Sequence, residues 1–189
     1  MNLVIFGAPG CGKGTQSERL IDRFGFYHIS TGELLRDHIA RQTELGIIAE
    51  KYISQGHLIP DELMLSIIDV LLDSPEVKDK NIIFDGFPRT VKQAEELEKL
   101  LVKRGGNVDA VIGLEVPDGE LVERLIKRGK DSGRADDNLD TIKERLEVYH
   151  NQTQPLRDFY NERGSYKAIN GSQSIDKIAD DIAAIISAL

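Results

Sequence analysis

Near the start of the chain the stretch NLVIF, residues 2–6, with four apolar residues in a row after Asn2, stops at the loop GAPGCGKGT, residues 7–15. The run shows no apolar–polar alternation, so it reads as a strand buried on both faces, which belongs in a parallel sheet. The loop carries glycines at 7, 10, 12 and 14, more than a simple turn needs. The surplus indicates that the backbone itself must approach something closely. The spacing Gly7-x-x-x-x-Gly12-Lys13 supplies a reason: backbone N–H groups cradle phosphates while the lysine reaches the terminal ones. A glycine-rich turn with an exposed lysine is the plainer reading. The position between an apolar strand and a helix, which the phosphate mechanism requires, argues against it. Gly14 follows the lysine, and the first hydroxyl comes one residue later at Thr15, so contact between Thr15 and Mg²⁺ does not follow from the spacing alone. Cys11 reads as an inert small residue of the loop.

The rest of the chain repeats the strand–helix alternation. Strands are expected at Phe26–Ile29, Asn81–Phe84, Ala110–Val116 and Tyr166–Ile169. Helices are expected at Gly14–Phe24, from a Ser30/Glu33 capping box through Leu34, Leu35 and Ile39, and from Pro60-Asp61 through Leu63, Ile67 and Leu71. Further helices follow a Thr90/Gln93 cap and cover Asp118–Lys127, Asn138–Asn161 (disturbed near Pro155) and Ser174–Leu189. Such alternation predicts an α/β fold, a parallel sheet covered on both faces, with ligands at the carboxyl ends of the strands.

With 189 residues, no repeats and no Pro/Gly-rich linker, the chain reads as one domain. A net charge of −8 argues against a general nucleic-acid or membrane-surface binder. The single cysteine rules out an internal disulfide and any multi-cysteine zinc site, and it fits a reducing compartment. The first apolar run is broken by Gly7 and Pro9, and no later run approaches a membrane span. A cytoplasmic protein is expected.

Two further clusters carry chemistry. In NIIFDGFPR, Asp85 ends an apolar strand, where an acid can hold the water shell of magnesium beside the loop. Gly86 and Pro88 shape a turn that presents Arg89. In RLIKRGKDSGRADDNLDTIKER, residues 124–145, Arg124 and Arg128 share a helix face, Arg134 sits in a glycine-flanked loop and Arg145 lies on the next helix. Solvated surface arginines and a helix-starting Asp136-Asp137 pair are the bland readings. Arginines nevertheless suit bidentate phosphate contacts, and a loop bracketed by Gly129 and Gly133 could fold over a ligand. His28, His38, His57 and His150 form no ligand pattern and read as structural.

Together GAPGCGKGT (7–15), ISTGELLR (29–36), DGFPRT (85–90), RLIKRGKDSGRADD (124–137) and IKERL (142–146) closely resemble the adenylate kinases, within the P-loop nucleoside monophosphate kinase family. The resemblance implies the reaction ATP + AMP ⇌ 2 ADP with Mg²⁺, on a three-layer fold with a five-stranded parallel sheet. It implies a helical acceptor-binding lobe at about 30–59 and a short lid at about 129–137, both inserted in a single kinase domain spanning 1–189. Carried onto this sequence, it puts the donor phosphates on Gly10, Cys11, Gly12, Lys13, Gly14 and Thr15, with Arg124, Arg128 and Gln173 around the donor nucleotide. The acceptor would meet Thr31, Arg36, the backbone at His57, Leu58 and Ile59, the turn of Gly86, Phe87, Pro88 and Arg89, and Gln93. Arg134 and Arg145 would close on the phosphates in transfer. Lys13, Arg89, Arg128, Arg134 and Arg145 would carry catalysis, with Thr15 and Asp85 holding Mg²⁺ through water. Longer members of the family have a longer lid, and with one cysteine a four-cysteine zinc site in this one is impossible. The partners implied are ATP, AMP and ADP, with no nucleic acid or membrane, for a monomeric protein.

The physical reading agrees. ATP and AMP bring roughly six negative charges, which the lysine and arginines named can balance. No Ser-His-Asp set or carboxylate pair suggests another chemistry, and the acceptor phosphate is already a nucleophile. Two alternatives stay open at this point. A UMP/CMP kinase shares the loop, DGFPR and the short lid, and would differ at Thr31 and Gln93. A P-loop regulatory switch would need a water-positioning group and an effector surface in place of a second phosphate site.

Overall fold

The computed structural model describes the backbone of residues 1–189 and every side chain except that of Ala135. Five strands form one all-parallel sheet: β1 (Asn2–Phe6), β2 (Tyr27–Ser30), β3 (Ile82–Asp85), β4 (Ala110–Glu115) and β5 (Tyr166–Asn170), in the order β2-β3-β1-β4-β5. Register pairs Val4 with Phe84 on one side and with Val111 on the other.

Because successive side chains point to opposite faces, each central strand feeds two cores. Val4, Phe6, Phe84 and Val111 belong to one, Leu3, Ile5, Ile83 and Ile112 to the other. The second core is roofed by α1 (Lys13–Phe24), α6 (Asp118–Ser132), α7 (Leu139–Val148) and α9 (Ile175–Ser187), through Leu20, Leu125, Ile142 and Ile182. The first core is roofed by α2 (Thr31–Ala40), α3 (Glu44–Ile53), α4 (Asp61–Leu72), α5 (Val91–Lys103) and α8 (Leu156–Glu162). In α4 the most buried row is Met64, Ile68 and Leu72, one residue on from the row expected; Leu63, Ile67 and Leu71 pack half-buried beside it.

The topology places the site. From β1 the chain crosses by α1 to the sheet edge at β2, whereas from β3 it crosses by α5 to β4. Neighbouring β1 and β3 thus send their helices to opposite faces, and the crevice between their carboxyl ends is the topological switch point. The glycine loop and Asp85 flank that crevice.

Three segments differ from the sequence reading. Helix α3 has no counterpart there, because Gly46 interrupts its pattern and Ile47 and Ile48 face solvent. Gly46 is there for contact: a side chain would overlap the His38 carbonyl of α2, so the two helices form a tight hairpin capped by the Thr43 hydroxyl, which accepts from Gly46 N–H at 3.1 Å. The expected lid loop at 129–137 is shorter as well. Helix α6 runs on to Ser132, and Gly133, with φ +65°, ends it. Gly129 is no hinge: it lies inside the helix, where a Cβ would come within 2.8 Å of the Asp137 carbonyl. It lets α6 pack against a 3₁₀ turn at Ala135–Asp137, leaving Arg134 alone between helix and turn. The expected helix over Asn138–Asn161 is divided by a π-helical segment at Tyr149–Thr153 just before Pro155, whose missing N–H cannot continue the ladder.

Candidate active site

The glycine loop lines a cleft of about 690 Å³ together with residues of α2, α5, α6 and α7. Gly7, Gly10 and Gly12 adopt φ of +147°, +86° and +103°, a region that L side chains avoid. At Gly7 and Gly10 packing forbids a side chain too, since a Cβ would lie 2.7 Å from the Leu114 carbonyl or 2.8 Å from Leu125. At Gly12 and Gly14 a Cβ would meet nothing within 4 Å, because these residues face the open cleft. The N–H groups of Lys13, Gly14 and Thr15 open α1 and have no intrahelical acceptor; the ladder begins with Gln16 N–H to Gly12 O at 3.1 Å. Donors at the positive end of a helix dipole make an anion cradle. Cys11 lines the cleft but gives its N–H to Ala8 O at 3.2 Å and buries its thiol. Lys13 folds back on the loop, its Nζ donating to Gly7 O at 2.7 Å and Ala8 O at 3.0 Å.

Asp85 stands at the end of β3. Burial alone would raise its pKa, but the His28 ring, 3.3 Å away, and the charge of Lys13 hold it below the usual aspartate range. His28, read from the sequence as structural, therefore supports a carboxylate of the site. Among the described residues no group of His, Cys, Asp and Glu side chains could cage a metal ion. One buried carboxylate beside a phosphate cradle, with Thr15 also lining the cleft, fits a Mg²⁺ that keeps its waters and leans on substrate phosphates.

The arginines converge as expected and divide into two kinds. Arg128 grips Asp137 with both forks at 2.6 and 2.7 Å, and Arg145 reaches Asp136 at 2.9 Å and Asp137 at 2.8 Å. Burial would raise the Asp137 carboxyl, but these arginines hold it low. The Asp136-Asp137 pair, read as a helix start, is thus the clamp's internal counterion. Arg36, Arg89 and Arg134 form no ion pair with the described residues, although all three line the cleft. Burial and then Arg134 lower the pKa of Arg36, and burial and then Arg145 push Arg89 down to about 10. An arginine stays charged at neutral pH even so; the depression registers cations crowded around a place for anions.

At the end of the cleft expected to take the donor, Arg124 joins two walls, donating to Gly171 O at 3.0 Å and to Cys11 O at 3.5 Å while pairing with Glu120. Gln173 lies in the same wall, tied to Asn170 O at 3.1 Å. At the end expected to take the acceptor, the Gly86 carbonyl accepts from the Thr31 hydroxyl and from Arg89 Nε, both at 2.8 Å. Leu58, Ile59, Pro88 and Gln93 line this end, and so does His57, whose ring meets Glu144 of α7 at 3.0 Å. Phe87 alone among the expected site residues departs: its side chain is buried in the first core against Phe84, so the residue can serve the site only through its backbone.

A glycine cradle with its lysine, a strand-end aspartate and a ring of arginines contributed by several elements define a P-loop nucleotide phosphotransferase. The family model described as Adenylate kinase matches residues 5–165. Curated relatives include an adenylate kinase of Bacteroides thetaiotaomicron, 57% identical with 100% of each chain covered, and one of Phocaeicola vulgatus, 55% identical with 100% of each covered. A more distant adenylate kinase, from Maricaulis maris, is 49% identical over 98% of each chain. The chain belongs to the adenylate kinase family.

Proposed function

We infer that this cleft moves the terminal phosphoryl group of ATP to AMP and back, giving two ADP. The observation that carries the reading is the meeting, in one cleft, of the Lys13 cradle with three arginines that have no carboxylate partner among the described residues. In the forward direction an oxygen of the AMP phosphate forms a bond to the γ-phosphorus as the bond to the β–γ bridging oxygen breaks. The leaving electron pair stays on ADP. The acceptor is already ionised, so no side chain need take a proton. Lys13 exchanges its loop carbonyls for phosphate oxygens, and the N–H groups from Gly12 to Thr15 hold the donor chain. Arg128, Arg134 and Arg145 gather on the transferring group, where charge shifts most. Arg36 and Arg89 bind the acceptor phosphate, while Thr31 and Gln93 read the base. Arg124 and Gln173 border the donor base.

Thr15 and Asp85 would hold the water shell of Mg²⁺, which supplies charge neutralisation on the phosphates when bound. One cysteine leaves no room for a four-cysteine zinc site in the lid. No helix of the described residues is long and apolar enough to cross a membrane. A monomer of the cytoplasm, with nucleotides and no nucleic acid as partners, completes the proposal. A coupled ADP assay with ATP against AMP, UMP and CMP tests it: AMP is expected to give the highest kcat/KM, and a higher value for UMP or CMP would overturn the acceptor assignment. Chelation by EDTA is expected to stop turnover while leaving Tm unchanged.

A further inference from the structure

Gln93 is almost wholly buried at the acceptor end of the cleft, and both ends of its amide are fixed. Its Oε1 accepts from the Arg89 backbone N–H at 2.7 Å, and its Nε2 donates to Asp61 Oδ1 at 2.7 Å. The second Asp61 oxygen accepts from the Thr90 hydroxyl at 3.2 Å, and that hydroxyl in turn caps α5 by accepting from Gln93 N–H at 3.1 Å. A plain reading makes Asp61 an acid in the first turn of α4 that ties α4 to α5, and the Thr90 contact is enough for that. The Oδ1 contact does something more specific.

An amide is nearly symmetric in shape but not in polarity, so its environment decides which end is which. A carboxylate can only accept and a backbone N–H can only donate. Asp61 and Arg89 N–H together therefore fix the Gln93 amide in one orientation. Each end keeps one unused valence: one hydrogen on Nε2 and one lone pair on Oε1. That pair, an acceptor beside a donor, matches a 6-aminopurine, whose exocyclic amine donates and whose N1 accepts. A 6-oxopurine presents the inverse, with O6 accepting and N1–H donating. Against a fixed Gln93 it would set acceptor on acceptor and donor on donor. A flipped amide would suit it, but would face the Asp61 carboxylate with a carbonyl and Arg89 N–H with an amine.

We propose that Asp61 is a positioning residue for acceptor-base choice, holding Gln93 in the orientation that accepts 6-aminopurine and rejects 6-oxopurine monophosphates. It rests on the reading that Gln93 faces the acceptor base. Asp61 touches no substrate; it acts through the amide.

The test is steady-state turnover with ATP and either AMP or inosine monophosphate, which inverts the hydrogen-bonding pattern at positions 6 and 1 and changes nothing else. Asp61→Asn preserves shape but allows the residue to donate, which removes one of the two penalties on the flipped amide. The AMP-over-IMP ratio of kcat/KM is expected to fall about tenfold, the discrimination lost when one buried polar mismatch is relieved. The change should appear mostly in KM, with kcat for AMP held within a few-fold. Combined with Gln93→Ala, the Asp61 substitution should no longer move the ratio. If AMP and IMP decline together in Asp61→Asn with the ratio unchanged, Asp61 is only a tie between helices and the proposal is overturned. A ratio that shifts as much in the Gln93→Ala background overturns it equally. If Gln93→Ala alone leaves the wild-type ratio intact, the reading of Gln93 itself is what fails. Asp61→Ser, which also removes the acceptor-only carboxylate, gives the same ratio should the Asn variant not fold.

Discussion

In the proposed reaction the glycine loop and the arginine cluster of α6, α7 and the turn between them hold the same kind of charge by opposite means. In the loop the anion-holding groups are backbone donors, set by glycine dihedrals and by packing against Leu114 and Leu125, so nothing need rearrange but the Lys13 side chain. In the cluster they are side chains, and two of them, Arg128 of α6 and Arg145 of α7, already hold Asp136 and Asp137. Between α6 and the 3₁₀ turn, Arg134 is held by no ion pair among the described residues. A cradle made of backbone is ready before substrate arrives. A clamp made of arginines on aspartates has to change partners. The first kind of site binds, and the second can distinguish a filled cleft from an unfilled one.

The sharpest way to break this comparison is Lys13→Ala. Loss of the one direct cation of the loop should lower kcat about a thousandfold, with Tm close to wild type because the ammonium touches only its own loop, at the Gly7 and Ala8 carbonyls and the Cys11 sulfur. A well-folded variant with near-normal kcat would remove the loop from catalysis. Arg134→Ala comes next, with kcat lowered about a hundredfold and a smaller change in KM for AMP, since the residue is assigned to the transferring group. If it keeps most of its kcat, the lid has no catalytic part. Arg36→Ala should act the other way about, raising KM for AMP about tenfold and lowering kcat no more than that. Equal kinetic signatures for Arg36 and Arg134 would erase the distinction between acceptor binding and clamp.

The smallest effect concerns two buried aspartates, one at the end of β3 and one paired with Arg128 and Arg145. Asp85 and Asp137 have folded pKa values below the ordinary 3.8. Their depression contributes stability that is present above 3.8 and is lost as pH falls through the lower folded values. Melting temperature should therefore be nearly flat from neutrality down to the ordinary aspartate range and decline below it. The difference in Tm between wild type and Asp137→Asn should shrink over the same acidic interval. A difference that persists undiminished there would mean that the aspartate stabilises by shape and not by charge.

Much of this was legible in the sequence because it was written locally. The unbroken NLVIF run, the glycine spacing and the caps at Ser30 and Thr90 each depend on neighbours a few residues apart, and strand, loop and helices appear as expected. What was missed depends on distant contacts. Helix α3 was hidden because Gly46 answers to the His38 carbonyl and not to its own periodicity. Gly129 looked like a hinge because its partner, Asp137, lies beyond the end of the helix. His28 and Asp85 meet across two strands, and Asp61 reaches Gln93 from the start of another helix. The arginines could be nominated from sequence, but a string of residues does not say which of them already have a carboxylate.

Asp136 and Asp137 have a further consequence for turnover. In the proposed reaction a phosphate that takes Arg128 or Arg145 displaces an anion already there, so binding at these positions is an exchange and not a capture. The guanidinium is already partly desolvated, but Asp137, whose side chain is fully buried, must find another donor or water when it is released, and the exchange carries that cost. On the way out the aspartates stand ready to reclaim the guanidiniums, so release of ADP does not leave a buried cation bare. A reaction that runs in both directions needs its nucleotides to leave as readily as they enter, and an internal competitor for the clamp keeps either side from being held too tightly.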